Sequence, residues 1–122
     1  TKLSGAKLPT SEIDGKDIAP LLSMKKSVVN PHKYYAITMN KSLEAVMSGD
    51  GRWKLHLPHK YRKVVFKGKD GSAGKYAHPK INYSLYDLKN DPYERSNVID
   101  NHPAIAKKLK SWAKTHLKKF YR

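Results

Sequence analysis

The chain contains no cysteine, only three glutamates and only four arginines. The missing cysteine excludes disulfides, thiolate zinc sites and a thiol nucleophile. The glutamates, Glu12, Glu44 and Glu94, each sit beside a turn or within a strand-like run. No two carboxylates have a spacing that forces a facing acid/base pair. Also lacking are a G-x-S-x-G elbow, a phosphate-binding P-loop and an H-E-x-x-H helix. No apolar run reaches the length of about 18 residues that would span a bilayer. The N-terminal residues have no hydrophobic stretch of signal-peptide type. They also lack an initiator methionine, which points to a processed chain or a piece of a longer one.

What is abundant is positive charge. The 122 residues carry 25 basic and 10 acidic side chains, a net +15. The charge is concentrated. Residues 52–80 hold nine basic residues against the single acid Asp70, and residues 103–122 hold seven against none. The remainder balances to zero. Such a surface raises the question of anionic partners. Nucleic acid is disfavoured among them. Bidentate reading of guanine or phosphate prefers arginine, which is scarce, and no RNA-recognition, KH or zinc-finger spacing is present. A basic module that binds polyanions, nucleic acid or sulfated glycan, without catalysis is the alternative reading, resting on the charge alone.

The length and the 39% hydrophobic content suit one domain with a modest core. Residues 1–33 are broken by Pro9, Gly15, Pro20 and Pro31 and read as an irregular linker. One helical turn at Ile18, Leu21 and Leu22 is expected there, capped by Asp17. Lys25-Lys26-Ser27 reads as an exposed loop. Strands are expected at 34–38, 43–48, 52–57, 64–66 and 83–88. Trp53, Leu55 and Leu57 alternate with Lys54, His56 and Pro58, the period of a half-buried strand. Ser48-Gly49-Asp50-Gly51 marks a hairpin turn before it. The rest of 59–80, rich in lysine and glycine, reads as a long loop, a feature usually functional or mobile. A C-terminal helix opens at Pro103, flanked by Asn101 or His102 as cap. Its apolar stripe runs through Ile105, Leu109, Trp112, Ala113, His116, Leu117 and Phe120. The expected architecture is α+β. An antiparallel sheet of about four strands packs against a C-terminal helix, after an irregular linker.

His56-Leu57-Pro58-His59 is the nearest approach to a metal motif. In a strand, residues three apart face opposite sides, so it reads as two separate histidines. The basic stretch 52–80 reads either as an ordinary solvated lysine-rich surface, the commoner origin of a charge run, or as a patch for sulfate, phosphate or carboxylate groups. The lysines of the tail helix read as its solvated outer face.

Three segments, in order, resemble the type I, formylglycine-dependent sulfatases. Leu85-Tyr86-Asp87-Leu88, followed by Asp91-Pro92-Tyr93-Glu94 and Asn97-Val98, resembles their C-terminal L-Y-D-L and D-P-x-E-x-x-N-L signature. His102-Pro103 and the amphipathic helix continue it. Residues 43–62 are similar to the A-V-R-x-G-x-W-K-L-H-x-P-H-x-Y-R stretch of arylsulfatase-like members. They depart from it at Met47, where arginine is frequent. Gly5 to Pro9 and Ile13 to Leu22 resemble the run from the catalytic domain into the C-terminal part.

The resemblance implies that 1–33 is the linker from a catalytic domain and 34–122 the sulfatase C-terminal subdomain. In Asp91-Pro92, proline presets φ and the aspartate can bond its own backbone; Glu94 and Asn97 are expected to bond backbone groups. The parent would hydrolyse sulfate esters with a formylglycine and a divalent metal such as calcium, both in the catalytic domain. This chain has neither a C/S-x-P-x-R motif nor the paired metal aspartates, so alone it is expected to be inactive. The implied partners are the catalytic domain of the same parent chain and an anionic sulfated substrate. The implied setting is periplasmic, secreted or lysosomal. Substrate contact is expected from Lys54, His56, His59, Lys60 and Arg62, and from the loop around Lys69, Lys75 and His78.

Overall fold

The alternation around Trp53 does build the centre of a sheet. In a computed structural model, which describes residues 4–11, 13, 15–22 and 28–121, ten elements follow in order. They are α1 (Ala19–Leu22), β1 (Tyr34–Met39), β2 (Ser42–Ser48), β3 (Trp53–His56), β4 (His59–Lys60), β5 (Lys63–Phe66), β6 (Lys75–Ala77), β7 (Lys80–Ile81), β8 (Ser84–Asp87) and α2 (Pro103–Phe120). Strands β1-β2-β3-β8 form one antiparallel sheet, and α2 crosses one of its faces. The Lys25-Lys26-Ser27 loop and Asp14 of the linker lie outside the described residues.

Register explains which side chains meet the helix. Ala36 pairs with Val46, Val46 with Leu55, and Leu55 with Leu85, so one row runs across all four strands. Val46, Leu55 and Leu85 are fully buried, against Leu109, Ala106 and Ala113 of α2. Between Ile37 and Thr38 the β1–β2 register shifts, leaving Glu44 as an extra residue on β2. That bulge lets Leu43 and Val46, three apart, both face the helix. Tyr34 stacks on Trp112 with centroids 5.6 Å apart. The stripe of α2 is as expected through Leu109, Trp112 and Ala113. It ends earlier, because Phe120 is 48% exposed, and Ala106 joins it.

The turns use local chemistry. Asn40 and Lys41 both take positive φ, closing β1 onto β2 in two residues. Gly49 cannot be replaced without a shift: a Cβ there would lie 1.8 Å from the His32 carbonyl oxygen. The close approach is held by a bond from the Gly49 N–H to the Lys33 carbonyl (2.9 Å) and one from Asn30 Nδ2 to the Gly49 carbonyl (2.7 Å). The linker's single turn is capped by Asp17, whose Oδ1 accepts from the Ala19 N–H at 2.9 Å. At α2 the cap is His102, with no side-chain bond. Its ring instead lies 4.8 Å from that of Trp53.

The long loop expected over most of 59–80 is instead an antiparallel ribbon. His59 pairs with Ile81, Lys60 with Lys80, Lys63 with Ala77 and Val64 with Tyr76, all in one register. At its tip Asp70 and Gly71 both have positive φ, and the Ser72 N–H bonds to the Lys69 carbonyl at 2.9 Å. This Asp-Gly turn folds 59–81 into an arm between neighbouring strands β3 and β8. Every residue from 61 to 73 is exposed.

Candidate functional site

The expected ligand-binding residues separate into two groups. Lys54, His56 and His59 lie at the base of the arm. Lys60, Arg62, Lys75 and His78 lie along it, with Lys69 at its tip.

Lys54 and His56 are two apart on β3, so both face away from α2. Glu94 joins them. Its Oε1 accepts from Lys54 Nζ at 2.6 Å, and its Oε2 lies 2.7 Å from His56 Nε2. The three side chains are only 19%, 17% and 27% exposed. Glu94 reaches this place from the turn after β8, with a left-handed φ of 54°. A non-glycine residue in that region costs of order 1 kcal/mol, offset here by two charge-assisted contacts. Glu94 therefore does not serve the backbone, as the sequence suggested. Asn97 does: its Oδ1 accepts from the Leu85 N–H at 2.9 Å and the Ile99 N–H at 3.1 Å. Asp91 Oδ2 likewise accepts from the Arg95 and Ser96 N–H groups.

A carboxylate only accepts, so His56 Nε2 carries its proton and Nδ1 holds the lone pair. Nδ1 is buried and without a partner among the described residues. Ser84 Oγ is too, and Ser84 is the cross-strand neighbour of His56. Burial pushes the His56 pKa below its ordinary value, outweighing the opposite pull of Glu94. For Glu94, burial pushes upward, but the bonds and charges of Lys54 and His56 together hold the carboxyl below its usual range.

His56 and His59 are not separate. Their rings stack with centroids 5.5 Å apart. Pro58 interrupts the strand between them and so breaks the alternation that would have put them on opposite sides. His59 Nδ1 donates to the Leu57 carbonyl at 2.7 Å, leaving Nε2 at 3.6 Å from Glu44 Oε2. Among the described residues no group of three or more His, Cys, Asp or Glu is placed to hold a metal. One His56 nitrogen is thus engaged by Glu94 and the other is buried. The base of the arm is a clamp that ties the 89–98 turn to β3. Arg52, the first cation of the basic segment, is similarly engaged. It donates two parallel hydrogen bonds to Asp87, Nε to Oδ1 at 3.0 Å and Nη2 to Oδ2 at 2.9 Å. The Arg52 bond holds the Asp87 carboxyl below its ordinary pKa.

The arm is the opposite. Lys60, Arg62, Lys63, Lys67, Lys75 and Lys80 have no carboxylate partner among the described residues. Asp70 is 3.8 Å from Lys69, with both side chains over four-fifths exposed. Arg62 lies over the ring of Tyr76 at 3.5 Å. Val64, Val65 and Phe66 are 51%, 52% and 64% exposed. Sequence spacing does not reveal Glu94 as the centre of the clamp, since it meets Lys54 across 40 positions. The pairing of Lys80 with Lys60 follows from the Asp70-Gly71 turn. No family model matches the chain, and no curated protein is significantly similar to it.

Proposed function

We propose that the chain is the C-terminal subdomain of a formylglycine-dependent, arylsulfatase-like sulfatase. In this reading residues 1–33 lead from the catalytic domain, and 34–122 support that domain and contribute a cationic arm beside its cleft. The parent hydrolyses sulfate esters. This chain supplies neither the nucleophile nor the metal ligands. It has no C/S-x-P-x-R motif and lacks the paired aspartates that the resemblance places at the metal site. No step of ester hydrolysis is assigned to its side chains.

One observation carries the reading beyond motif resemblance. The two strongest resembling segments lock together: Glu94 of the D-P-x-E turn grips Lys54 and His56 of the W-K-L-H strand. Asp91 and Asn97 of the same turn satisfy backbone N–H groups of the turn and of β8. The resembling residues thus have one joint physical job, as the reading of one continuous pattern requires. The four-stranded sheet and C-terminal helix suit the subdomain.

Two measurements test it. The coding sequence upstream of Thr1 should contain C/S-x-P-x-R; an open reading frame without it overturns the proposal. The purified chain should release no sulfate from an aryl sulfate, and turnover that copurifies with it would contradict a purely supporting role.

A further inference from the structure

The arm's register places two lysines directly opposite each other. Lys60 on β4 pairs with Lys80 on β7. Like charges in that position repel, with side chains about 5 Å apart at Cβ, and destabilise a ribbon. The Tyr61 N–H bonds to the Pro79 carbonyl at 3.1 Å, and Lys63 pairs with Ala77, so Arg62 and His78 are the next residues opposed. Alternation puts Lys60, Arg62, Val64, Tyr76, His78 and Lys80 on one face, its rows about 7 Å apart. Arg62 is held on that face by the Tyr76 ring, 3.5 Å away. The arm's single acid, Asp70, is at the far tip beside Lys69.

We infer that the Lys60–Lys80 and Arg62–His78 face of the arm holds an oxyanion of the substrate that is not the ester being cleaved. The substrate then carries at least two anionic groups. The inference rests on the sulfatase reading. There, the scissile sulfate belongs to the catalytic domain, so cations on this arm serve a second group. An anion between Lys60 and Lys80 removes their repulsion. The stacked guanidinium keeps its N–H edges free for a planar or tetrahedral oxyanion. Sulfate, carboxylate and phosphate share that chemistry, and the ligand panel separates them.

The test is a titration of the 122-residue chain, followed by backbone amide shifts, at low and physiological salt. The probes are a heparin-derived disaccharide with two sulfates, its desulfated form, inorganic phosphate and a short DNA duplex. The disulfated sugar should move the amides of Lys60, Arg62, Tyr76, His78 and Lys80. Its binding should weaken about ten-fold or more in K60E/K80E and in R62A, while the helix variant K107E/K114E binds as before. Shifts confined to α2, equal losses in the arm and helix variants, or tighter binding of DNA on this face would each overturn the inference. The two proposals fail separately. Arm binding together with an upstream sequence lacking C/S-x-P-x-R sinks the sulfatase reading and leaves the anion site. The motif present with no arm binding does the reverse.

Discussion

At Lys54 and at Lys60, six positions apart on the same excursion of chain, an ammonium meets opposite surroundings. Lys54 lies 2.6 Å from a carboxylate and is mostly covered. Lys60 is exposed and faces another lysine. Both belong to one basic segment in sequence, and both were expected to contact an anion. The difference teaches that net charge does not identify a binding surface; the unpaired part of it does. Arg52, Lys54 and His56 already have carboxylate partners in Asp87 and Glu94. On the arm, only Lys69 has a carboxylate partner among the described residues, Asp70 at 3.8 Å.

The largest effect should come from breaking the clamp. Glu94→Ala strands Lys54 and His56 without a counter-charge in a mostly covered place. It should lower the unfolding free energy by about 2 kcal/mol in urea titration, less than for a fully buried pair. A Glu94→Gln variant, which keeps the shape, should lose less. Any charge-removing substitution on the arm should stay within about 0.5 kcal/mol. Equal losses at Glu94 and on the arm would erase the distinction.

A second effect lies at the sheet's other corner. Gly49→Ala drives a Cβ into the His32 carbonyl and should displace the 30–33 segment. The expected cost is about 1–3 kcal/mol, with faster amide exchange at Gly49. It should leave the clamp and the arm's anion binding unchanged.

The clamp also sets a pH dependence that the arm does not share. The folded pKa of Glu94 is below its ordinary 4.5. Its contribution is complete above that value and lost as pH falls through the lower, folded one. The folded pKa of His56 is below its ordinary 6.5, because burial resists the cation. It too contributes fully above that value and progressively less as pH falls through its folded pKa. Melting temperature should therefore drop on acidification in two stages. Glu94→Gln should remove Glu94's share of the lower stage, while K60A/K80A keeps the wild-type profile shape.

The smallest effect sharpens the comparison by its sign. Replacing Lys60 with threonine relieves the repulsion from Lys80 and should stabilise the chain by a few tenths of a kcal/mol at low salt. High salt screens the charges and should abolish the gain. A loss of stability at low salt would mean that Lys60 makes a favourable contact in the folded chain.

The parts legible in the sequence were those governed by short-range rules. The 43–48 and 52–57 hairpin, the Asp17 cap, the Asp91 turn and the α2 stripe through Ala113 follow from period, capping and turn chemistry. The arm follows from the same rules, since Asp70-Gly71 is as clear a turn signal as Asp50-Gly51. Its lysines and glycines masked that signal and suggested a loop. The stacking of His56 on His59 was not legible, because one proline between them resets which side a side chain faces. The Glu94 clamp was not legible either: partners 38 and 40 positions away leave no trace in local spacing. Nor does stripe periodicity say where a helix outruns its sheet, as α2 does at Phe120.

The central claim is that the basic segment divides into a committed base and a free arm. Amine acylation of the native chain, followed lysine by lysine by mass spectrometry, tests it most directly. Lys60, Lys75 and Lys80 should label at the rate of exposed amines, and Lys54 much more slowly. Lys54 should become reactive in Glu94→Gln. Lys54 labelling as fast as Lys60 in the unaltered chain would contradict the account.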